Sequence, residues 1–307
     1  MRRIEFSILA VAFALAAAAN TATAATGAKQ RTFATPEEAA QQLAAAARSG
    51  DSRALIEILG PDAKAIVASG DAVADRRGRE RFARAYDEAN KLERSGDARA
   101  LLSVGRDEWP FPIPIVKDAA GWRFDTKAGR EEILNRRIGR NEHHAIQAAL
   151  AYVDAQREYY LRNPQNDKML HYAQKFMSAS GKRDGLYWPA RAPERASPLG
   201  PVYAAARAEG YRKDSSGKPY PYQGYFYRIL KGQGPEARGG AYDYVAQGRM
   251  IGGFALVAYP AEYGNSGVMT FMVNHDGTVY EKDLGPDSSR IARKTSKFNP
   301  DKTWKAL

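Results

Sequence analysis

A chain of 307 residues, 44% of them hydrophobic, is long enough for two ordinary domains and can bury a substantial core. Its formal charge of +11 raises the question of anionic partners, but the basic residues are dispersed along the chain and equally serve solubility. The absence of cysteine excludes disulfides, thiol chemistry and thiolate metal sites, so stability has to come from packing.

The opening MRRIEFSILAVAFALAAAANTATA has Arg2 and Arg3, an apolar run from Phe6 to Ala19, and then Ala22-Thr23-Ala24, the layout of a cleavable secretory signal. Residues 1–24 are expected to be removed near Ala24, giving a periplasmic or secreted protein. The apolar run is short and alanine-rich for a membrane span, and no later stretch reaches transmembrane length. In that compartment the expected partners are an envelope protein or an anionic glycan or lipid surface, not nucleic acid.

Thr35-Pro36-Glu37-Glu38 is a helix start, with Thr as N-cap, Pro at the first helical position and Glu at the third. This helix should stop at Gly50. Asp51 should cap a second helix through Leu59, ended by Gly60-Pro61, and a third helical pattern runs from about Asp75 to Leu92. LLSVGRDEWPFPIPIVKDAAGWRFDT reads as strands and a hairpin. Pro110, Pro112 and Pro114 alternate, so one extended edge strand would align their missing N–H groups and place Trp109, Phe111, Ile113 and Ile115 on a single face. A turn at Asp118-Ala119-Ala120-Gly121 leads into Trp122-Arg123-Phe124.

Asn141–Tyr160 is helix-patterned. One stripe runs through Ile146, Leu150, Val153 and Tyr160, a second through Ala148, Tyr152, Ala155 and Tyr159, and a polar line through His143, Gln147, Asp154 and Glu158. Asn141 suits an N-cap, but a continuous helix starting near Ala128 and containing Gly139 is favoured. Every tyrosine except Tyr86 lies at or after Tyr152, which places a boundary between halves near residue 130. His171–Met177 reads as a short helix. Residues 181–223 read as a long, proline-rich irregular segment with one short helix at Val202–Ala208 and enough aromatics to be packed down. From Gly224 the pattern is antiparallel β: GYFYRIL, AYDYVAQ, GGFALVAYP, VMTFMVN and TVYEKDL, with His275-Asp276-Gly277 as a tight hairpin turn. Residues 291–307 read as a basic tail. The expected class is α+β, with an N-terminal unit at 32–130 and, at 131–290, a long helix backed by a meander of strands.

The stretches TFATPEEAA, EWPFPIPIVKD, GWRFDTKAGREEILNRRIGRNE, KRDGLYWP, SPLGP and GGFALVAYPAEYGNSGVMTFMVNHDGTVYEKDLGPD resemble an uncharacterised bacterial family, the domain of unknown function 2950, over about Thr32 to Leu307. That family is defined without an activity, so the resemblance implies none. Residues 131–290 are also similar to the globular part of pilin-like and pseudopilin-like proteins. The matches are Asn141-Glu142, Ala145-Ile146, Ala155-Gln156 and Tyr159 along the helix, then Gly224-Tyr225-Phe226-Tyr227, Ala258-Tyr259-Pro260, Gly264 to Gly267, Phe271-Met272-Val273 and Gly277. Ala149 and Tyr152 depart from the larger aliphatics usual there, and no prepilin cleavage site or polymerising helix precedes the match. The resemblance therefore implies a pilin-type fold without its fibre-forming part. Residues 32–130 are similar to the nuclear-transport-factor-like cone, in which short helices pack on a curved sheet, and this implies a fold alone.

Candidate chemistry is sparse. His143, His144, His171 and His275 form no zinc-ligand spacing, and neighbours His143 and His144 point about 100° apart on a helix, so no metal is expected. Gly264-Asn265-Ser266-Gly267 lacks the full G-x-S-x-G elbow and sits between strands, the setting of a turn rather than a nucleophile. Glu131-Glu132 and Asp283 with Asp287 are acid pairs of a kind that chance supplies. Gly232-Gln233-Gly234-Pro235 reads as a loop because Pro235 removes a phosphate-binding donor. The positive lead is aromatic: Tyr187, Trp188, Tyr220, Tyr222, Tyr225 and Tyr227 could form a glycan- or protein-binding surface, although tyrosines at period two also suit the core of a sheet. The expectation is an exported, non-enzymatic envelope protein acting as a binding or scaffolding module, without catalytic residues or cofactor. The alternative is a hydrolase acting on an envelope glycan or peptide, with its site in the crease between the halves near 181–223.

Overall fold

A computed structural model describes residues 30–211 and 220–307, so the expected signal at 1–24 lies outside the described residues. The class is α+β.

The helix signals at the start of the chain operate as read. Helix α1 (Pro36–Ser49) is capped by Thr35, whose hydroxyl accepts from the Glu38 N–H, and it ends on Gly50 at a φ of 73°. Its inward face is Ala39, Ala40, Leu43, Ala46 and Ala47, small residues that let neighbouring helices approach closely. Asp51 caps α2 (Ser52–Leu59) by accepting from the Arg53 and Ala54 N–H groups, and short α3 (Lys64–Val67) follows. Asp71 caps α4 (Ala72–Glu88), which ends before Leu92. Leu92 belongs instead to β1 (Asn90–Arg94), where it pairs with Leu102 of β2 (Arg99–Val104).

The proline run is two strands, not one. β3 (Trp109–Pro110) and β4 (Ile115–Asp118) pair with opposite ends of the same edge of β2, and β4 turns into β5 (Gly121–Phe124). The Phe111 N–H still donates to Leu102 O at 2.7 Å, but Pro112 and Pro114 have no donor with which to continue the ladder. The chain crosses over there, driving Ile113 and Ile115 into the core while Trp109 stays 40% exposed.

Helix α5 (Thr126–Arg162) is continuous for 37 residues, about 55 Å at 1.5 Å per residue. Gly139 lies inside it, and Asn141 is a buried mid-helix residue rather than a cap. The face it buries runs through Ala145, Ala149, Tyr152, Gln156 and Tyr159, and Leu150 of the expected stripe is exposed.

His171–Met177 is irregular, not helical, with isolated bridges from Tyr172 to Met250 and from Met177 to Tyr187. Gln156 explains this: its amide exchanges two hydrogen bonds with the backbone of Ala173, at 2.8 and 2.9 Å, and holds the segment open against α5. After an irregular stretch comes α6 (Gly200–Glu209), then β6 (Tyr225–Leu230). Two small ribbons follow, β7 (Gly232–Gln233) with β8 (Tyr242–Asp243), and β9 (Val245–Ala246) with β10 (Arg249–Met250). Gly232-Gln233 is thus strand, not loop. β11 (Ala255–Pro260), β12 (Met269–Asn274) and β13 (Val279–Asp283) form a meander. Helix α7 (Ser288–Lys294) packs on β11, and β14 (Lys305–Ala306) completes the antiparallel order β14-β13-β12-β11-β6. Every residue of β11 is buried, because α5 and α7 both pack against it. The expected basic tail is part of this fold: Ala292 and Phe298 are buried in its core, and β14 closes the sheet edge.

Two buried clusters result. One gathers α1, α2 and the first sheet around Leu43, Ile58, Leu102, Ile115 and Phe124. The other gathers α5 and the second sheet around Tyr152, Tyr159, Tyr225, Phe254 and Phe271.

Candidate functional site

Where α4 and α5 meet the segment after α6, a cavity of about 1010 Å³ opens, at the upper end of the size range of small-molecule sites, about 300–1,000 Å³. The halves are pinned beside it by Asp71 and Arg137, which each serve both, while Asn141 and Glu142 tie α5 to its own sheet. Buried Asp71 caps α4 through Oδ1, while its Oδ2 accepts from the Tyr211 hydroxyl at 2.8 Å and the Gly224 N–H at 2.9 Å. The Arg137 guanidinium donates to Ala65 O, Ile66 O and Asn265 Oδ1, joining α5 to α3 and to the turn before β12. Asn141 donates to Ser266 O at 2.9 Å, and Glu142 Oε1 accepts from the Val268 and Met269 N–H groups, both at 2.9 Å.

The cavity is chemically divided. Its apolar lining is Ile66, Phe82, Phe111 and Ile133, partly buried against the first core, with the buried core residues Leu43, Leu55, Leu59 and Val104 behind them. Its other walls carry Arg77 and Arg81 from α4 and Arg137, Arg140 and His144 from α5. Helical spacing puts these residues on shared faces: 77 and 81 are one turn apart, and 137, 140 and 144 follow at i, i+3 and i+7.

Some of these charges are already matched. Arg77 pairs with Glu209 at 2.5 Å, and Gln223 donates to the same carboxylate at 2.6 Å. Asp75 accepts from the Ser69 N–H at 2.9 Å, and desolvation raises its pKa. Arg81 and Arg140 make no hydrogen bond or ion pair with any described residue, and Arg79 Nε and His144 Nδ1 are buried without a partner among them. Desolvation lowers the Arg81 pKa, and the fields of Arg140, Arg77 and Arg84 add to it. Arg140 is lowered by desolvation alone. His144 is lowered from its ordinary value first by desolvation, then by His143 and Arg140, with Gln223 and Glu209 opposing. A wall on which cations depress one another is a wall suited to an anion.

The aromatic set expected to bind does not form one surface. Tyr225 is fully buried and donates to Met269 O, and Trp188 is buried beneath Arg162 with its Nε1 donating to Glu194. Tyr187 stacks on Tyr203 with centroids 4.2 Å apart. Tyr227 lies beside Tyr222 O, and burial raises its pKa. Tyr220, 41% exposed, lies parallel to Tyr211. Of the six, Tyr222 alone lines the cavity. The physical reason is the one tyrosine always allows: an apolar body with one polar tip is satisfied in a core once that tip finds a carbonyl.

Ser266 is a turn residue. Its hydroxyl accepts from the Glu262 N–H and donates to Glu262 O, and no histidine touches it. His171 pairs with Asp167 at 2.7 Å, and His275 packs edge-on against Tyr244 and Phe254. Among the described residues no group of three or more His, Asp or Glu is placed to hold a metal, and no helix is long and apolar enough to cross a membrane. A second cleft of about 580 Å³ contains the pairs Asp167 with His171 and Lys175 with Asp184, and is also lined by Lys231 and Arg249.

The cationic wall escaped the sequence reading because α4 and α5 lie some sixty residues apart in the chain. The spacing of Arg77, Arg81 and Arg84, and of Arg137, Arg140 and His144, was the available signal. No curated protein and no solved structure matches the chain. Its residues 30–307 match the family described as protein of unknown function (DUF2950), and with all of its described residues inside that match the chain belongs to the DUF2950 family.

Proposed function

We propose that this chain is an exported, non-enzymatic binding module that takes an organic anion into the cavity between α4 and α5. The observation that carries the reading is the pair Arg81 and Arg140, solvent-exposed guanidiniums on one cavity wall that make no ion pair with a described residue, the field of Glu209 reaching Arg81 without contact. Guanidinium groups suit such a role because they stay charged when partly desolvated and present planar, paired donors to carboxylate or phosphate. Export rests on the leader at 1–24. An envelope protein or anionic surface remains the proposed wider partner, with the second half read as pilin-like and the first as a helix-on-sheet cone. What supports that architectural reading is α5 laid across β11 and β12, and α1 and α4 packed on the first sheet.

The competing reading is a hydrolase acting on an envelope glycan or peptide. It needs a nucleophile and base in contact. The carboxylates on the cavity wall are committed elsewhere, Glu209 to Arg77 and Gln223, and Asp75 to Ser69 N–H, while His144 Nδ1 touches no acid. Binding is therefore the better supported.

The test is a fluorescence titration of 1-anilinonaphthalene-8-sulfonate, an organic anion, into the mature protein and its Arg81→Ala/Arg140→Ala variant. Saturable binding at one site, weakened about tenfold or more in the variant, is expected from the loss of charge-assisted hydrogen bonds worth about 1.5–3 kcal/mol each. Equal affinity in the two proteins would overturn the reading.

A further inference from the structure

We infer that the ligand is a single-chain amphiphile: an aliphatic tail laid against the partly buried apolar wall of Ile66, Phe82, Phe111 and Ile133, with an anionic head, phosphate or carboxylate, held between Arg81 and Arg140. This rests on the reading of the cavity as an anion site and adds the other half of the molecule.

The first support is the continuity of the space. Aliphatic and cationic residues line one cavity, so an occupant that reaches the arginines has an apolar extension of the same cavity beside it. Both helices carry apolar and cationic lining residues close together. Phe82 directly follows Arg81 on α4, and on α5 Ile133 lies two turns before Arg140, about 10 Å along the axis. That distance suits an extended chain of several methylenes, not a compact inorganic anion.

The second support is packing. Ile66, Phe82, Phe111 and Ile133 line the cavity and are only partly buried, packed on the first core from outside with apolar surface left uncovered. Apolar surface left uncovered forfeits dispersion contacts and burial from water. An aliphatic chain supplies those contacts without needing any hydrogen bond, and these side chains offer none. A glycan fails this criterion, because its hydroxyls would be desolvated against isoleucine and phenylalanine without partners. A metal ion fails it too, since the anionic side chains on the wall are already engaged by Arg77, Gln223 and Ser69.

The third support is the head end. Two unmatched guanidiniums, with Arg79 Nε and His144 Nδ1 lacking partners on the same walls, make a donor-rich and acceptor-poor environment. A phosphate or carboxylate supplies acceptors only, so each oxygen placed there meets a donor.

The experiment is a calorimetric titration of the mature chain with butyl phosphate, octyl phosphate, octanoate and 1-octanol, all below micelle-forming concentration, repeated with octyl phosphate and 1-octanol on Arg81→Ala/Arg140→Ala. Octyl phosphate should bind about tenfold to two-hundredfold more tightly than butyl phosphate, as four added methylenes at up to 0.8 kcal/mol each require. The double variant should lose about tenfold or more for octyl phosphate and nothing for 1-octanol. Octanoate against octyl phosphate then assigns the head. If butyl and octyl phosphate bind equally, the tail is wrong and the inference falls, although the anion site survives provided the naphthalene sulfonate still depends on the two arginines. If 1-octanol binds as tightly as octyl phosphate, the head is wrong. If none binds and the sulfonate also fails, the reading of the cavity falls with it.

Discussion

Asp71 serves both halves of the molecule with one carboxylate: Oδ1 caps α4, and Oδ2 accepts from Tyr211 and Gly224 across the joint. Replacing it with alanine removes a cap and strands two buried donors. Asp71→Ala should lower the unfolding free energy by about 2–4 kcal/mol in urea titration, and Tyr211→Phe by about 1 kcal/mol. A loss below about 1 kcal/mol for Asp71→Ala would contradict the role given to it. His144 makes a prediction in pH. Its folded-state pKa lies below the ordinary 6.5, mainly through desolvation, so between the two values the unfolded chain binds more protons than the folded one. Its contribution to stability is complete above 6.5 and is lost as the pH falls through 6.5 toward the depressed value. The groups that face it are Arg140, His143, Glu209 and Gln223. An anion bound beside Arg140 should reverse part of the shift, so the His144 ring signal in an NMR titration should move to a higher midpoint with octyl phosphate present. An unchanged midpoint would place the anion elsewhere. Neither Asp71 nor His144 stood out in the sequence for these roles. Asp71 looks like any helix cap, and His144 looks like half of an exposed pair until the fold brings Gln223 and Glu209 near it.

Helix α5 offers a paired test of what its two glycines do. Both cost helix propensity relative to alanine, by roughly 0.8–1 kcal/mol. Nothing lies within 4 Å of a Cβ added at Gly139, whereas a Cβ at Gly129 would fall well inside contact distance of the Pro112 carbonyl. Gly139→Ala should therefore raise thermal stability, and Gly129→Ala should lower it despite the gain in propensity. Matching shifts of the same sign would contradict the close packing of α5 on the proline crossover. Much at this scale was legible. Thr35, Asp51 and Gly50 mark helix ends by local hydrogen bonding, and β11 to β13 follow from alternation and an Asp-Gly turn, so short-range rules reach them. His171–Met177 and the split at Pro112 were not legible, because a backbone docked by Gln156 and a strand pairing divided along β2 are decided by distant partners.

At the scale of the whole molecule, two cores share one helix and border an open cavity of about 1010 Å³ at their joint. The α+β class and the family were readable from pattern and from long matching stretches. The cavity was not. Its cationic wall comes from α4 and α5, further lining from Tyr211, Tyr222 and Gln223, and its apolar lining from α1, α2, α4, α5 and the first sheet. Net charge gave no hint, since arginines dispersed in sequence converge only in the fold. The tyrosines suggested a surface, but burial took Trp188 and Tyr225 and left Tyr222 alone on the cavity. The account stands on whether that cavity recognises an anion through Arg81 and Arg140. Isothermal titration calorimetry of octyl phosphate into wild-type protein and Arg81→Ala/Arg140→Ala, with urea unfolding of both, measures this directly. The account predicts one site per chain, affinity about tenfold or more weaker in the variant, and an unfolding midpoint no lower than that of the wild type. Equal affinity in two equally stable proteins would contradict it.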